Sequence, residues 1–188
     1  MLPNWGAFGP DGSYYLSDSG TPGDSDGVIW RIPPDGGRPE LWSSGDWHFP
    51  NGLAVNADGT RLYVIESISG ALVALDIQAD GTAAETRTVL CDLEPATPDG
   101  LALVDDGSIV ISCYRPDAVY QWSERRGLVL LAEDPRGAVL AAPTNVVFAG
   151  PDRDQLVTSN LGRWHLTRIP AGLTGEKLHY PTREQLGS

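Results

Sequence analysis

The feature that most limits how this chain can fold is its own repetition. "PNWGAFGPDGSYYLSDS" begins at Pro3, "PNGLAVNADGTRLYVIES" at Pro50, "PDGLALVDDGSIVISCY" at Pro98 and "PTNVVFAGPDRDQLVTSN" at Pro143. The spacings of 47, 48 and 45 leave almost nothing of the 188 residues outside the repeat. A fixed period of this length marks units that cannot bury their apolar faces alone and do so against one another. Inside each unit a short apolar run meets an Asp-Gly or similar turn, and a second run follows with period-two alternation, as in Leu62 and Val64 against Tyr63 and Ile65. That pattern predicts a hairpin.

Each unit then continues. A third run follows the hairpin ("GVIWRIPP" from Gly27, "GALVALDI" from Gly70, "DAVYQWS" from Asp117, "HLTRIP" from His165), and the first three units add a fourth ("RPELWSS" from Arg38, "TRTVLCDL" from Thr86, "GLVLLAED" from Gly127). Four antiparallel strands per unit predict an all-β fold, a β-propeller whose blades bury both faces against their neighbours around a central channel. The expected blades cover residues 3–49, 50–97, 98–142 and 143–188 of a single domain. In the last, the candidate outer strand "KLHYP" from Lys177 is cut short by Pro181, which cannot donate to a ladder.

Composition narrows the partners. A formal charge of −12 opposes phosphate backbones and argues against nucleic acid. No apolar run reaches the roughly 18 residues of a membrane helix, and the N-terminus lacks a basic segment followed by an apolar core, so no membrane association is expected. Cys91 and Cys113 fall in different units, and without a dense cysteine framework they read as free thiols in a reducing, cytoplasmic setting.

In a propeller the innermost strand of each blade lines the channel, and the loop leading into it lies at the channel mouth. The residues after the four opening prolines are Asn4, Asn51, Asp99 and Thr144, the last followed by Asn145. These oxygen-bearing side chains would converge on one axis. A carboxylate among amide carbonyls suits a hard divalent cation, whereas a structural zinc site would want Cys and His. The competing reading is a turn, because Asn and Asp before Gly bond the local backbone and tolerate left-handed geometry. What distinguishes Asp99 is that the carboxylate appears once. His48 precedes the second unit and could act as acid, base or substrate contact; flanked by Trp47 and Phe49, it also reads as a packed aromatic neighbour. No Gly-x-Ser-x-Gly elbow and no phosphate-binding glycine loop is present.

Taken in order, "FPNGLAVNADGTRLYVIES" and "TPDGLALVDDGSIVISCY", flanked by "LPNWGAFGPDGSYYLSDSG" and "APTNVVFAGPDRDQLVTSNLG", resemble the successive signatures of the family containing senescence marker protein, gluconolactonase and luciferin-regenerating proteins. The resemblance implies a six-bladed propeller, of which these repeats are the last two thirds, with a divalent metal at the channel mouth. It also implies hydrolysis of a sugar lactone or related ester, with a non-catalytic scaffold as the alternative. By the same resemblance Asn51 and Asp99 are metal ligands and Asp99 is the general base. Asn4 contacts substrate or a metal-bound water, and His48 and Asn145 join it as substrate contacts. Ca²⁺ is the first expectation for the metal, before Mg²⁺, Mn²⁺ or Zn²⁺. The family's third ligand is a glutamate near the start of its propeller, which these repeats do not contain. Glu66 is no substitute, since it closes a second strand. Blade faces left open by four repeats are expected to favour self-association.

Overall fold

In the computed structural model, which describes residues 1–181, each repeat forms one antiparallel sheet, and no helix occurs among those residues. The first sheet is β1 (Pro3–Phe8), β2 (Tyr14–Asp18), β3 (Gly27–Ile32) and β4 (Glu40–Trp47). The second is β5 (Pro50–Val55), β6 (Arg61–Glu66), β7 (Ala71–Ile77) and β8 (Ala83–Asp92). The third is β9 (Thr97–Leu103), β10 (Ile109–Arg115), β11 (Ala118–Ser123) and β12 (Gly127–Glu133), and the fourth is β13 (Pro143–Ala149), β14 (Gln155–Asn160) and β15 (Leu166–Ile169). Within every sheet the strands pair in chain order, the blade of a propeller.

The alternation along each strand decides which neighbour a side chain meets. Leu62 and Val64 of β6 point to the first blade and pack with Tyr15, Ile29, Trp42 and Trp47. Ile65 of β6, with Tyr63 beside it, points the other way, into a second core with Leu101, Ile109 and Ile111. A third core joins Val110 and Val119 to Val146, Leu156 and Ile169 of the last blade. Sheets apolar on both faces can be stable only when sandwiched, which is why the period dictates a radial stack. The inner strands β1, β5, β9 and β13 pack side by side in that order.

The stack has two ends. Leu16, Val28, Trp30 and Ile32 occupy in the first blade the ladder positions held in the second by Val64, Ala71, Val73 and Leu75. The latter four are buried against the first blade, whereas the former remain partly exposed.

Among the described residues the fourth blade has three strands, not four. The segment expected as its outer strand goes elsewhere. Gly175 forms a bridge with Val104, Glu176 donates its N–H to Leu103 at 2.9 Å, Asp105 donates to Thr174 at 3.0 Å, and Gly175 donates to Arg153 at 2.8 Å. The segment then crosses beneath the inner strands until His179 Nε2 lies 3.0 Å from the Asn56 carbonyl oxygen. A side chain at Gly175 would strike the Phe148 ring at 2.4 Å, so glycine is the residue that lets this strap enter the seam between the third and fourth blades.

Candidate functional site

Asn51 and Asp99 lie within strands, in β5 and β9, so the turn reading of Asn-Gly and Asp-Gly does not apply to them. Their glycines serve a different purpose. A Cβ on Gly52 would sit 2.6 Å from the Asp99 carbonyl oxygen, and one on Gly100 would sit 2.4 Å from Asn145 Oδ1 and 2.8 Å from its Cα. Neither glycine has a positive φ. They are small so that neighbouring inner strands can approach closely at the channel mouth, which draws Asn51, Asp99 and Asn145 together.

Serines that the sequence reading passed over hold the amides. Asn4 Nδ2 donates to Ser19 Oγ at 3.0 Å, and Asn51 Nδ2 donates to Ser67 Oγ at 3.1 Å. Ser19 Oγ donates in turn to the Pro50 carbonyl at 2.9 Å, linking the first inner strand to the second. The Asn51 side chain also donates to the Asp99 carboxylate. With its N–H groups committed to Ser67 and Asp99, the Asn51 amide keeps Oδ1 to accept from, or ligate, whatever approaches. Asn145 Oδ1 takes the Val146 N–H at 2.8 Å, and Thr144 Oγ1 and Ser159 Oγ lie 3.3 Å apart. The "DS" and "ES" pairs that end the first two second strands were the available signal.

The residue paired with each opening proline has its own repeated task. Asp18, Glu66 and Asn160 face Pro3, Pro50 and Pro143 across their ladders. Asp18 Oδ1 accepts the Leu2 N–H at 2.5 Å, Glu66 Oε1 accepts that of His48 at 2.9 Å, and Asn160 Oδ1 accepts that of Ala141 at 3.0 Å. These bonds hold loops in which Phe49 and Ala142 adopt φ of 61° and 51°, each costing on the order of 1–3 kcal/mol. Glu66 is therefore occupied: it also accepts from Ser69 Oγ at 2.9 Å and lies 3.5 Å from Arg87.

In the third blade the corresponding residue is Cys113, opposite Pro98. Asp99 thus stands above a buried thiol where the other blades put a polar group. Burial pushes its carboxyl up to about 6, against a small lowering by the Asn51 hydrogen bond. The proximity is mutual, since burial and the Asp99 charge push Cys113 up to about 12. A partly buried carboxylate with a single neutral donor is under-compensated, and a bound cation would supply what it lacks. Asn51 and Asp99 fit a divalent cation in the chemistry of their donors, with water completing the shell. Among the described residues no group of three or more His, Cys, Asp or Glu could hold a metal. His48 lies on the rim, its Nε2 3.3 Å from Asp46 Oδ1.

Below this cluster, Leu53 and Leu101 line a cavity of about 750 Å³ that runs between the inner strands to the strap at residues 176–180. No described helix is long and apolar enough to cross a membrane.

Comparison with known proteins agrees with this architecture. Many solved structures share the fold. A luciferin-regenerating enzyme superimposes with a TM-score of 0.74 at 22% identity over 94% of this chain and 64% of its own. A putative gluconolactonase gives 0.75 at 24% over 93% and 60%. Regucalcin from Agrobacterium tumefaciens, described as a calcium-binding protein, gives 0.76 at 17% over 96% and 64%. The chain therefore spans 60–64% of the length of these structures. Among curated proteins none matches. The family model described as "SMP-30/Gluconolactonase/LRE-like region" matches residues 1–160, through the close of β14. With the repeated opening prolines, the glycines that bring their strands together and this match over most of its length, the chain belongs to the SMP-30/gluconolactonase/LRE-like family.

Proposed function

We propose that the cluster at the channel mouth hydrolyses a lactone or related ester with the help of a divalent cation, Ca²⁺ before Mg²⁺, Mn²⁺ or Zn²⁺. The observation that carries this reading is Asp99: one carboxylate, raised to about 6 by burial and bonded to the Asn51 amide, at the mouth of a channel in a fold shared with gluconolactonases. Asn51 and Asp99 would hold the cation, which when bound polarises an ester carbonyl and stabilises negative charge on its oxygen. The chain's own residues do the rest. Asp99 takes a proton from the attacking water as the water oxygen bonds to the carbonyl carbon. The ring C–O bond then breaks, and the same proton passes to the departing alkoxide oxygen. Asn4 and Asn145 orient the substrate from the flanking strands, and His48 contacts it from the rim.

Asp99→Asn keeps the side-chain shape but removes the negative ligand and the base, so turnover should fall by 10²-fold or more while circular dichroism is unchanged. Asn51→Ala should chiefly weaken metal binding, so that raised metal concentration partly restores its rate. Full metal-dependent activity in Asp99→Asn would refute the mechanism. A second reading, a non-catalytic scaffold, draws on the single carboxylate in the cluster. A chain that binds metal in calorimetry yet turns over nothing in a broad lactone and ester panel would favour it.

A further inference from the structure

The cavity under the site differs in chemistry from the site itself. Leu53 and Leu101 stand two residues below Asn51 and Asp99 on the same strands, so its ceiling begins roughly 7 Å beneath the cluster. Phe8, Val147 and Phe148 form its apolar wall, which Tyr14, Asn145 and Arg153 interrupt, and Glu176, Lys177 and His179 cross at the floor. From Asn51 to the floor at Asn56 is five residues of extended strand, roughly 16 Å. At about 750 Å³ the space is that of a small-molecule pocket.

A substrate whose carbonyl is held at Asn51 and Asp99 must direct its substituent either out to solvent or down this wall. A polyhydroxylated ring placed downward would exchange its hydration for contact with Phe8, Val147 and Phe148, which offer it no side-chain donor or acceptor. An alkyl or aryl substituent placed there would leave water for apolar surface, a gain that grows with each buried methylene. We infer that this cavity binds the apolar substituent of the substrate, so that the preferred substrates are alkyl- or aryl-substituted lactones or esters and not polyhydroxylated sugar lactones. The inference rests on the hydrolytic reading above for the position of the carbonyl, while the cavity's affinity for an apolar chain is independent of turnover.

The test uses the whole chain with saturating Ca²⁺, or Mn²⁺ or Zn²⁺ in parallel. Substrates are glucono-δ-lactone and δ-lactones bearing a methyl, butyl or octyl group. An octyl-substituted δ-lactam, which resists hydrolysis, serves as the binding probe in calorimetry. The expected result is a rise in kcat/KM of at least tenfold from methyl to octyl, with glucono-δ-lactone below the octyl compound, and measurable lactam binding. Val147 is 44% exposed, so Val147→Asp places a charge on the wall without burying it in the core. That variant should lose most of the octyl gain and the lactam affinity while keeping the wild-type circular dichroism. Turnover that is flat along the series or best with glucono-δ-lactone overturns the inference and leaves the hydrolytic reading standing. Lactam binding that is sensitive to Val147→Asp without hydrolysis of any lactone upholds the cavity as an apolar-ligand site and removes the hydrolytic reading. Absence of both binding and turnover removes the two together.

Discussion

A carboxylate in place of an amide changes what the rest of its blade must supply. Asn4 and Asn51 have N–H groups to give, and Ser19 and Ser67 take them. Asp99 has none, and Tyr114 follows Cys113 where serine follows Asp18 and Glu66. Ser67→Ala should therefore let the Asn51 amide rotate and weaken metal binding about fivefold, the worth of a net hydrogen bond, with little change in melting temperature; unchanged affinity in calorimetry would refute this positioning role. The raised Asp99 pKa carries a stability consequence. Below the unfolded pKa, near pH 4, both states hold the proton and the group contributes nothing. Between about pH 4 and 6 the unfolded chain ionises first, so stability falls as pH rises, and above about 6 the loss is complete. In chelator, Asp99→Asn should thus be more stable than wild type at pH 7 by on the order of 1 kcal/mol, discounted for residual solvent, and equal to it at pH 4. Urea denaturation at the two pH values decides, and equal stability at both would show that burial does not penalise this carboxylate. Asn51 and Asp99 could be singled out from the sequence because the repeat aligns them. Their serine partners could not, since their roles depend on which atoms face each other across a ladder.

Among the elements, the inner strands were legible and their spacing was not. Period-two alternation and Asp-Gly turns are local signals, and they located all four hairpins. That Gly52 and Gly100 are contact points between strands of different blades depends on neighbours 47 and 45 residues away, Asp99 and Asn145, and in sequence they looked like turn glycines. Gly100→Ala should destabilise by about 2 kcal/mol or more, because the new methyl meets the Asn145 Cα and the Thr144 carbonyl oxygen as well as the Asn145 side chain, and the backbone atoms cannot swing away. Thermal melting should fall by roughly 4–8 °C for a chain of this size. A variant that melts like wild type would mean that the inner strands can separate at no cost. The strap shows the same limit of sequence. Its bonds run to backbone groups of Leu103, Arg153 and Asn56, which carry no sequence signature, whereas "KLHYP" by itself looks like a short edge strand.

At the scale of the molecule, the stack presents one apolar blade face around Trp30 and Ile32 in positions that are buried elsewhere in the repeat. Self-association through it predicts sedimentation that depends on protein concentration and that Trp30→Glu suppresses; a monomer at all concentrations would exclude it. The strap joins the second, third and fourth blades from below, so Gly175→Val should expel it from beside Phe148 and expose the Glu176 amide to rapid hydrogen exchange. Persistent protection would mean that the seam widens to admit the side chain. The period, the strand content, the radial arrangement and the ring of Asn and Asp residues after the opening prolines are legible in the chain, because each is written in residues close together or repeated at a fixed interval. Packing of the blades is what puts these residues in strands, spends Glu66 on a loop amide, seats Asp99 over a buried thiol and lays a strap beneath an apolar cavity. Those outcomes arise from desolvation and from close approach between residues distant in the chain, and neither has a magnitude until the blades are packed.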